Sequence, residues 1–307
     1  MTRTITVGLD GSPASLAAAD WAAREAQLRG DLPLRLVTAW EWQPPVFVPA
    51  AGLGAPVPPR DLQRASAQHL LAEARTRVGE ARPGLRVETE EVSGLPVPAL
   101  LKAAEAAELL VLGSRGLSKA AGFLLGSVSQ AVLASCERPV VLVRAAEHGE
   151  DDALPEPSDH EADTATGGRD VVLGLDLNRP HDAVIDFAFD AASRRAAPLR
   201  VVHGWTLPPY YYGGALMPDL NAGMAEQVRR ELSAVLRPWQ ERYPAVEVRA
   251  QATVGSAGRH LVDASHDAAL VVVGRQIRRS AVGAHIGPVT QALLHHAVAP
   301  VAVISHD

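Results

Sequence analysis

The second half of this 307-residue sequence repeats the first, and that repeat constrains the fold more than any other feature. Val171-Val172-Leu173-Gly174-Leu175-Asp176 echoes Ile5-Thr6-Val7-Gly8-Leu9-Asp10, and Leu199 to Trp205 echoes Leu34 to Trp40. Leu270 to Gly274 echoes Leu109 to Gly113, and Pro300 to Ile304 echoes Pro139 to Val143. The offsets of Asp176 from Asp10 (166 residues), Trp205 from Trp40 (165) and Gly274 from Gly113 (161) drift only by loop-sized steps, as in a duplicated domain.

Within one copy, short apolar runs alternate with segments of helical length. Thr4 to Leu9 reads as a strand, and Ser12 as the N-cap of a helix with Pro13 at its first position. Ala17, Ala18, Trp21, Ala22, Ala26 and Leu28 are its expected buried side, and Gly30 ends it. A strand from Leu34 to Trp40 follows, then a stretch over 43–59 too rich in Pro and Gly for regular structure. A helix from about Arg60 to Glu80, a strand from Leu85 to Val92 and a short helix near Pro96 to Ala107 come next. The continuous apolar run Leu109 to Leu112 reads as a central strand covered on both faces, and Val140 to Val143 as a fifth strand. This order predicts an α/β protein: two tandem, doubly wound, parallel five-stranded sheets with helices on both faces. The expected domains are 1–144 and 169–307, joined by a linker over 145–168.

Composition narrows the class. Hydrophobic content of 47% with 21% charge describes a globular chain with sizeable cores. The net charge of −6 comes from the linker, which holds eight acids and no Lys or Arg; the remainder is near neutral. No basic stripe suits nucleic acid. No apolar run approaches the ~20 residues of a membrane span, and Met1 to Ile5 runs straight into a strand, so a cytoplasmic protein is expected. The single cysteine, Cys136, excludes an internal disulfide and reads as a small buried hydrophobe.

Chemistry concentrates where the fourth strand ends. Gly113 and Gly116 offer a tight turn with φ > 0 and room for close approach of a ligand. Gly126, Ser127, Val128 and Ser129 then open a helix whose free N–H groups and dipole suit a phosphate. Asp10, Ala39 and Gly113 all fall at carboxyl ends of expected strands, where ligands of open α/β sheets collect.

The spacing Gly113-x2-Gly116-x9-Gly126-Ser127 resembles the nucleotide motif of the ATP-binding branch of the universal stress protein family. The resemblance covers both halves and implies a Rossmann-like fold of the adenine nucleotide alpha hydrolase type. It implies ATP as ligand, with Mg as an optional companion. Gly8 and Asp10 would lie at the adenosine, Ala39 at the adenine, and Leu112, Gly113, Gly116, Gly126, Ser127, Val128 and Ser129 at the phosphates. It also implies pairing of domains through the last strands, within one chain or between two copies as a homodimer. At ~5–6 Å × √n a linker of this length averages ~25–30 Å, ample for pairing within the chain.

In the second half Asp176, Gly204, Gly274 and Gly287 retain the pattern, but Ile277 replaces the second glycine and Pro288 the serine. Pro288 supplies neither hydroxyl nor N–H, so a weaker phosphate site is expected there. Arg275, Arg278 and Arg279 could compensate by direct contact, or form a surface cluster beside a degenerate site. A P-loop, a dinucleotide fingerprint and a Gly-x-Ser-x-Gly elbow are absent from the sequence. The adjacent His295 and His296, and the separate His260 and His266, match no metal-ligand spacing. Two readings follow: an ATP-binding regulatory module with at most slow hydrolysis, or an interaction scaffold in which nucleotide is incidental.

Overall fold

The computed structural model describes residues 3–41, 60–114, 126–145, 169–205, 218–277 and 286–307. The proline-rich stretch over 43–59, Gly116, linker residues 146–168, Arg278 and Arg279 lie outside the described residues. The first half runs β1 (Thr4–Leu9), α1 (Pro13–Leu28), β2 (Leu34–Trp40), α2 (Arg60–Ala81), β3 (Val87–Ser93), α3 (Pro96–Glu105), β4 (Ala107–Ser114), α4 (Ser127–Ser135) and β5 (Val140–Arg144). The second runs β6 (Asp170–Gly174), α5 (Asp182–Arg194), β7 (Leu199–Trp205), α6 (Pro218–Arg242), β8 (Val248–Val254), α7 (Ala257–Ala264), β9 (Ala268–Gln276), α8 (Pro288–His296) and β10 (Val301–His306).

Strands within each half are parallel, in the orders β3-β2-β1-β4-β5 and β8-β7-β6-β9-β10. Each half is thus the expected doubly wound sheet, and the direction of winding reverses between β1 and β4 and between β6 and β9. The two sheets are joined into one of ten strands by β5 and β10, which pair antiparallel with Val301 opposite Leu142, Ala302 opposite Val141 and Val303 opposite Val140. Each last strand would otherwise leave an apolar edge unpaired. A second copy of the chain would need a different surface, because both of these strands already have partners on each side.

Two cores lie on opposite faces of this sheet, and each spans both halves. One is built from α1, α2, α5 and α6 against strand residues such as Ile5, Val7, Leu36, Val141, Leu173 and Ile304. The other is built from α3, α4, α7 and α8 against Leu110, Leu112, Val140, Leu142, Val273 and Val303. The alternation along each strand follows from the period of two in strand side chains.

Helix α1 starts as its sequence dictates. Pro13 sits at the first position and the Ser12 hydroxyl accepts from the Ser15 N–H at 3.2 Å. Its buried face departs from the expectation. Leu28 is 37% exposed and Ala17 and Trp21 are half-buried, whereas Ala19, Ala23 and Glu25 are buried. The helix packs over β5 as well as β1 and β4, and its last turn meets the neighbouring half through charged groups. Glu25 there accepts from Arg29 Nε at 2.7 Å and from Arg195, which follows α5. Arg29 also bonds Glu108 at 2.9 Å and lies 3.5 Å from Asp190 of α5.

On the opposite face, arginines cross the seam to the carboxyl ends of helices. Arg275 of β9 donates to the carbonyls of Ala134 (3.0 Å) and Cys136 (2.5 Å) at the end of α4, and to Ser305 Oγ at 2.7 Å. Arg144 of β5 donates to the Leu294 carbonyl of α8 at 3.0 Å. Cations at the terminal carbonyls satisfy orphan acceptors and oppose the negative end of the helix dipole. Cys136 is buried here, which pushes its thiol pKa up.

Removing one member of a buried ion pair leaves uncompensated charge and costs about 3–5 kcal/mol. Glu25→Ala takes the carboxylate from the buried Arg195 and leaves Arg29 with Glu108 and Asp190. Urea unfolding at neutral pH is expected to show a loss of that size, in a single transition because both cores run through both halves; two separate transitions in the wild type would contradict the shared-core description.

Candidate functional site

The carboxyl ends of β1, β2 and β4 meet the first turn of α4 around a cavity of about 220 Å³. Its walls bring together Gly8, Asp10, Ala39, Leu112, Gly113, Gly126, Ser127, Val128 and Ser129. Of the residues expected from the sequence in the first half, Gly116 alone lies outside the described residues. Leu9, Ser15, Val37, Pro96 and Leu100 complete the lining and were not anticipated. Val37 could have been found, because period two places it on the same face as Ala39.

Asp10 is held in a turn: its Oδ1 accepts from the Ser12 N–H at 3.0 Å. The same turn leads into α1, so the turn role and the place at the cavity mouth coexist. The Ser15 hydroxyl donates to the Ser12 carbonyl at 2.9 Å, and Thr38 Oγ1 donates to the Leu9 carbonyl at 3.0 Å. The first steadies the start of α1, and the second ties the end of β2 to the end of β1.

At the other wall, Gly126 is the N-cap of α4 with φ −59° and ψ 142°, and no side chain caps the helix. The first bond within the helix runs from the Gln130 N–H to the Gly126 carbonyl. The N–H groups of the first turn therefore have no partner inside the helix, which is the arrangement that attracts an anion. Ser127 is exposed at this turn. Ser129 is buried, and its hydroxyl donates to the Gly113 carbonyl at 3.1 Å, which ties the helix start to β4.

The glycines have reasons other than those expected. Gly113 lies inside β4, and its φ is outside the left-handed region. A Cβ there would sit 2.6 Å from the backbone of Ala14 and Ser15, so the residue is small because the first turn of α1 packs on it. A Cβ on Gly8 would meet Leu112 Cδ2 at 2.6 Å and Leu100 Cδ2 at 2.8 Å, the side chains that floor the cavity.

The second half holds a related cavity of about 420 Å³ in which Asp176, Gly204, Gly274 and Gly287 again line one space. Asp176 Oδ1 accepts from the Asn178 N–H at 3.0 Å, the same turn as at Asp10. Gly204 is small because the start of α7 crowds it, with Ala257 Cα 2.5 Å from an added Cβ. Gly287 caps α8 and Pro288 occupies the first helical position, so this helix start offers one N–H and one hydroxyl fewer than α4. Arg275 does not face this cavity. It is 5% exposed and engaged in the seam, which corrects both roles considered for it, phosphate contact and surface cluster. Its position beside Gly274 on a strand sends its side chain to the opposite face.

The profile of the universal stress protein family matches residues 1–144 and 168–305. A universal stress protein of Mycobacterium tuberculosis is 36% identical over 304 residues, covering 97% of this chain and 95% of that one. A universal stress protein of Mycobacterium bovis is 33% identical, with coverages of 97% and 96%. Among solved structures, that of a universal stress protein from Archaeoglobus fulgidus matches with a TM-score of 0.67 over 100% of both chains at 18% identity, a likeness of fold.

Two glycines separate packing from conformation. Gly113→Ala places a methyl against rigid backbone and is expected to destabilise by about 1–3 kcal/mol. In Gly287→Ser the added Cβ meets nothing within 4 Å at an ordinary φ of −63°; the change keeps a residue suited to the N-cap and is expected to alter stability by less than about 0.5 kcal/mol. Denaturant midpoints of the two variants check this ordering.

Proposed function

The chain belongs to the universal stress protein family, and we propose that its first half is an ATP-binding regulatory module. The observation that carries this reading is the uncapped start of α4 facing Asp10 across a cavity at the point where the sheet reverses its winding. The carboxylate of Asp10 can accept from ribose hydroxyls, and Ala39 and Val37 offer an apolar wall for a base. Ser127, Val128 and Ser129 present backbone donors to phosphate oxygens, and the Ser127 hydroxyl adds another. Such a site fits a nucleotide because the donors need no rearrangement: the strands and helix hold them in place. Magnesium accompanying ATP would be held chiefly by phosphate oxygens and water. Occupancy would act by stiffening α4, whose far end is gripped by Arg275 of the other half.

A nucleotide-independent scaffold is the second reading, favoured by Gly113 and Gly204, whose smallness packing alone accounts for. Calorimetric titration with ATP separates the two. Ser127→Pro copies Pro288 into the first half, keeps a residue suited to the first helical position, and removes one N–H and one hydroxyl. Hydrogen bonds to charged groups contribute about 1.5–3 kcal/mol each, so affinity for ATP is expected to fall at least roughly tenfold. Asp10→Ala is expected to weaken ATP and adenosine alike. Absence of ATP binding by the wild type would favour the scaffold.

A further inference from the structure

The first turn of α1 has no counterpart in α5. The offset of 166 residues pairs the buried positions of the two helices, Ala18 with Val184, Ala22 with Ala188 and Ala26 with Ala192. By the same offset Pro13, Ala14 and Ser15 correspond to Arg179, Pro180 and His181. In the first half these residues are helical, and their backbone fills the space beside Gly113. In the second, the helix begins only at Asp182, with His181 as its N-cap. The space beside Gly274 is taken instead by the ring of His306, whose Nε2 lies 2.9 Å from the position of an added Cβ. His306 is the last residue of β10, and it corresponds to Ala145, just past the end of β5.

This exchange of a helical turn for a side chain extends the second cavity over the strand ends toward α5. Arg179, His181, Gln276 and His306 line the extension. The two imidazole rings lie 4.6 Å apart. Arg179 Nη1 donates to Gln276 Oε1 at 2.9 Å, which orients an otherwise exposed guanidinium at the mouth. His181 Nδ1 accepts from the Ala183 N–H at 3.3 Å, so Nε2 carries the proton and can donate outward. His306 Nδ1 lies 3.1 Å from the Asp307 carbonyl, and its Nε2 lies on the side of Gly274. Asp176 is the acid among the described lining residues; its Oδ1 already accepts from the backbone and side chain of Asn178. Asp182 and Asp307 flank the histidines in sequence and are exposed to solvent.

We propose that this extension is an anion site without counterpart in the first half, which takes a single phosphate group through Arg179 and His181, beside the ring of His306. The guanidinium fork matches two oxygens of a phosphate, and His181 Nε2 supplies a directed donor on a second side. The chemistry is that of side-chain donors, in contrast to the backbone donors at the start of α4. The ligand class is a phosphomonoester or inorganic phosphate, because one guanidinium and one imidazole suit a single phosphate group and Pro288 removes donors from the opposite wall. The proposal is independent of ATP binding in the first half, since none of these residues lines the first cavity.

The test titrates the full chain with inorganic phosphate, AMP and adenosine while following the imidazole NMR signals of His181 and His306, identified with His181→Ala and His306→Ala. Phosphate and AMP are expected to shift both sets of signals, and adenosine to leave them in place. Arg179→Met, a change at an exposed loop position, is expected to weaken phosphate and AMP roughly tenfold while ATP binding to the first half is unchanged. Tighter binding of AMP than of phosphate would support the site with a nucleoside monophosphate as its ligand. Comparable affinities would support it with phosphate or a small phosphomonoester. The proposal is overturned if neither probe moves the histidine signals at millimolar concentration, or if Arg179→Met binds both as the wild type does. Because the readout sits on second-cavity residues, a failure of ATP binding in the first half would register separately.

Discussion

The antiparallel pairing of β5 with β10 is the constraint on which the rest of the molecule depends. It closes the two apolar edges that the duplicated halves would otherwise present, and it places their helices side by side on both faces of one sheet. Once the helices meet, each core becomes common property of both halves. Polar groups that an isolated half would show to water become interior, and they need partners. Glu25 finds Arg29 and Arg195; the carbonyls ending α4 find Arg275; Leu294 finds Arg144.

These cross-seam bonds also set the walls of the cavities. Helix α4 begins at the first cavity and ends on Arg275, which stands between Gly274 and Gln276 of the second. Helix α8 begins at the second cavity and ends on Arg144 of the first half. Each cavity thus has one wall whose far end is anchored by the opposite half. The geometry gives either helix start little freedom to shift without disturbing charged hydrogen bonds that are sheltered from water.

The two halves show how one fold presents different groups at equivalent places. In the first, a complete helical turn on α1 and an uncapped start on α4 leave backbone N–H groups at the cavity wall. In the second, a shortened α5 and Pro288 remove parts of both walls, and side chains from β10 and the β6–α5 connection fill the gap. Core positions change little between the halves because they must still bury the same sheet. The rims diverge because loops and caps contribute little to the core and tolerate substitution.

The sequence by itself determined the duplication, the order of strands and helices, the cap at Ser12, and the gathering of Asp10, Ala39, Gly113 and Ser127 around one space. These follow from local periodicity, turn chemistry and the rule that parallel sheets bind ligands at their carboxyl ends, all of which are written in short stretches of chain. The apolar character of Val140 to Val143 and Val301 to Ile304 also announced two edges in need of partners. Only the tertiary structure decided what surrounds each of these elements. Glu25 has no place on the expected buried side of α1 until Arg195 reaches it, and Arg275 reads as a phosphate contact or part of a surface cluster until the end of α4 claims it. Gly113 reads as part of a turn until α1 packs against it, and nothing in the local pattern marks His306, whose ring stands beside Gly274. Glu25 with Arg195, Arg275 with Ala134 and Gly113 with Ala14 are each more than 90 positions apart, and His306 of β10 reaches Gly274 of β9 with α8 between them in the chain. Local pattern carries no record of such encounters, because the partner that buries or bonds a side chain is chosen by how the elements pack.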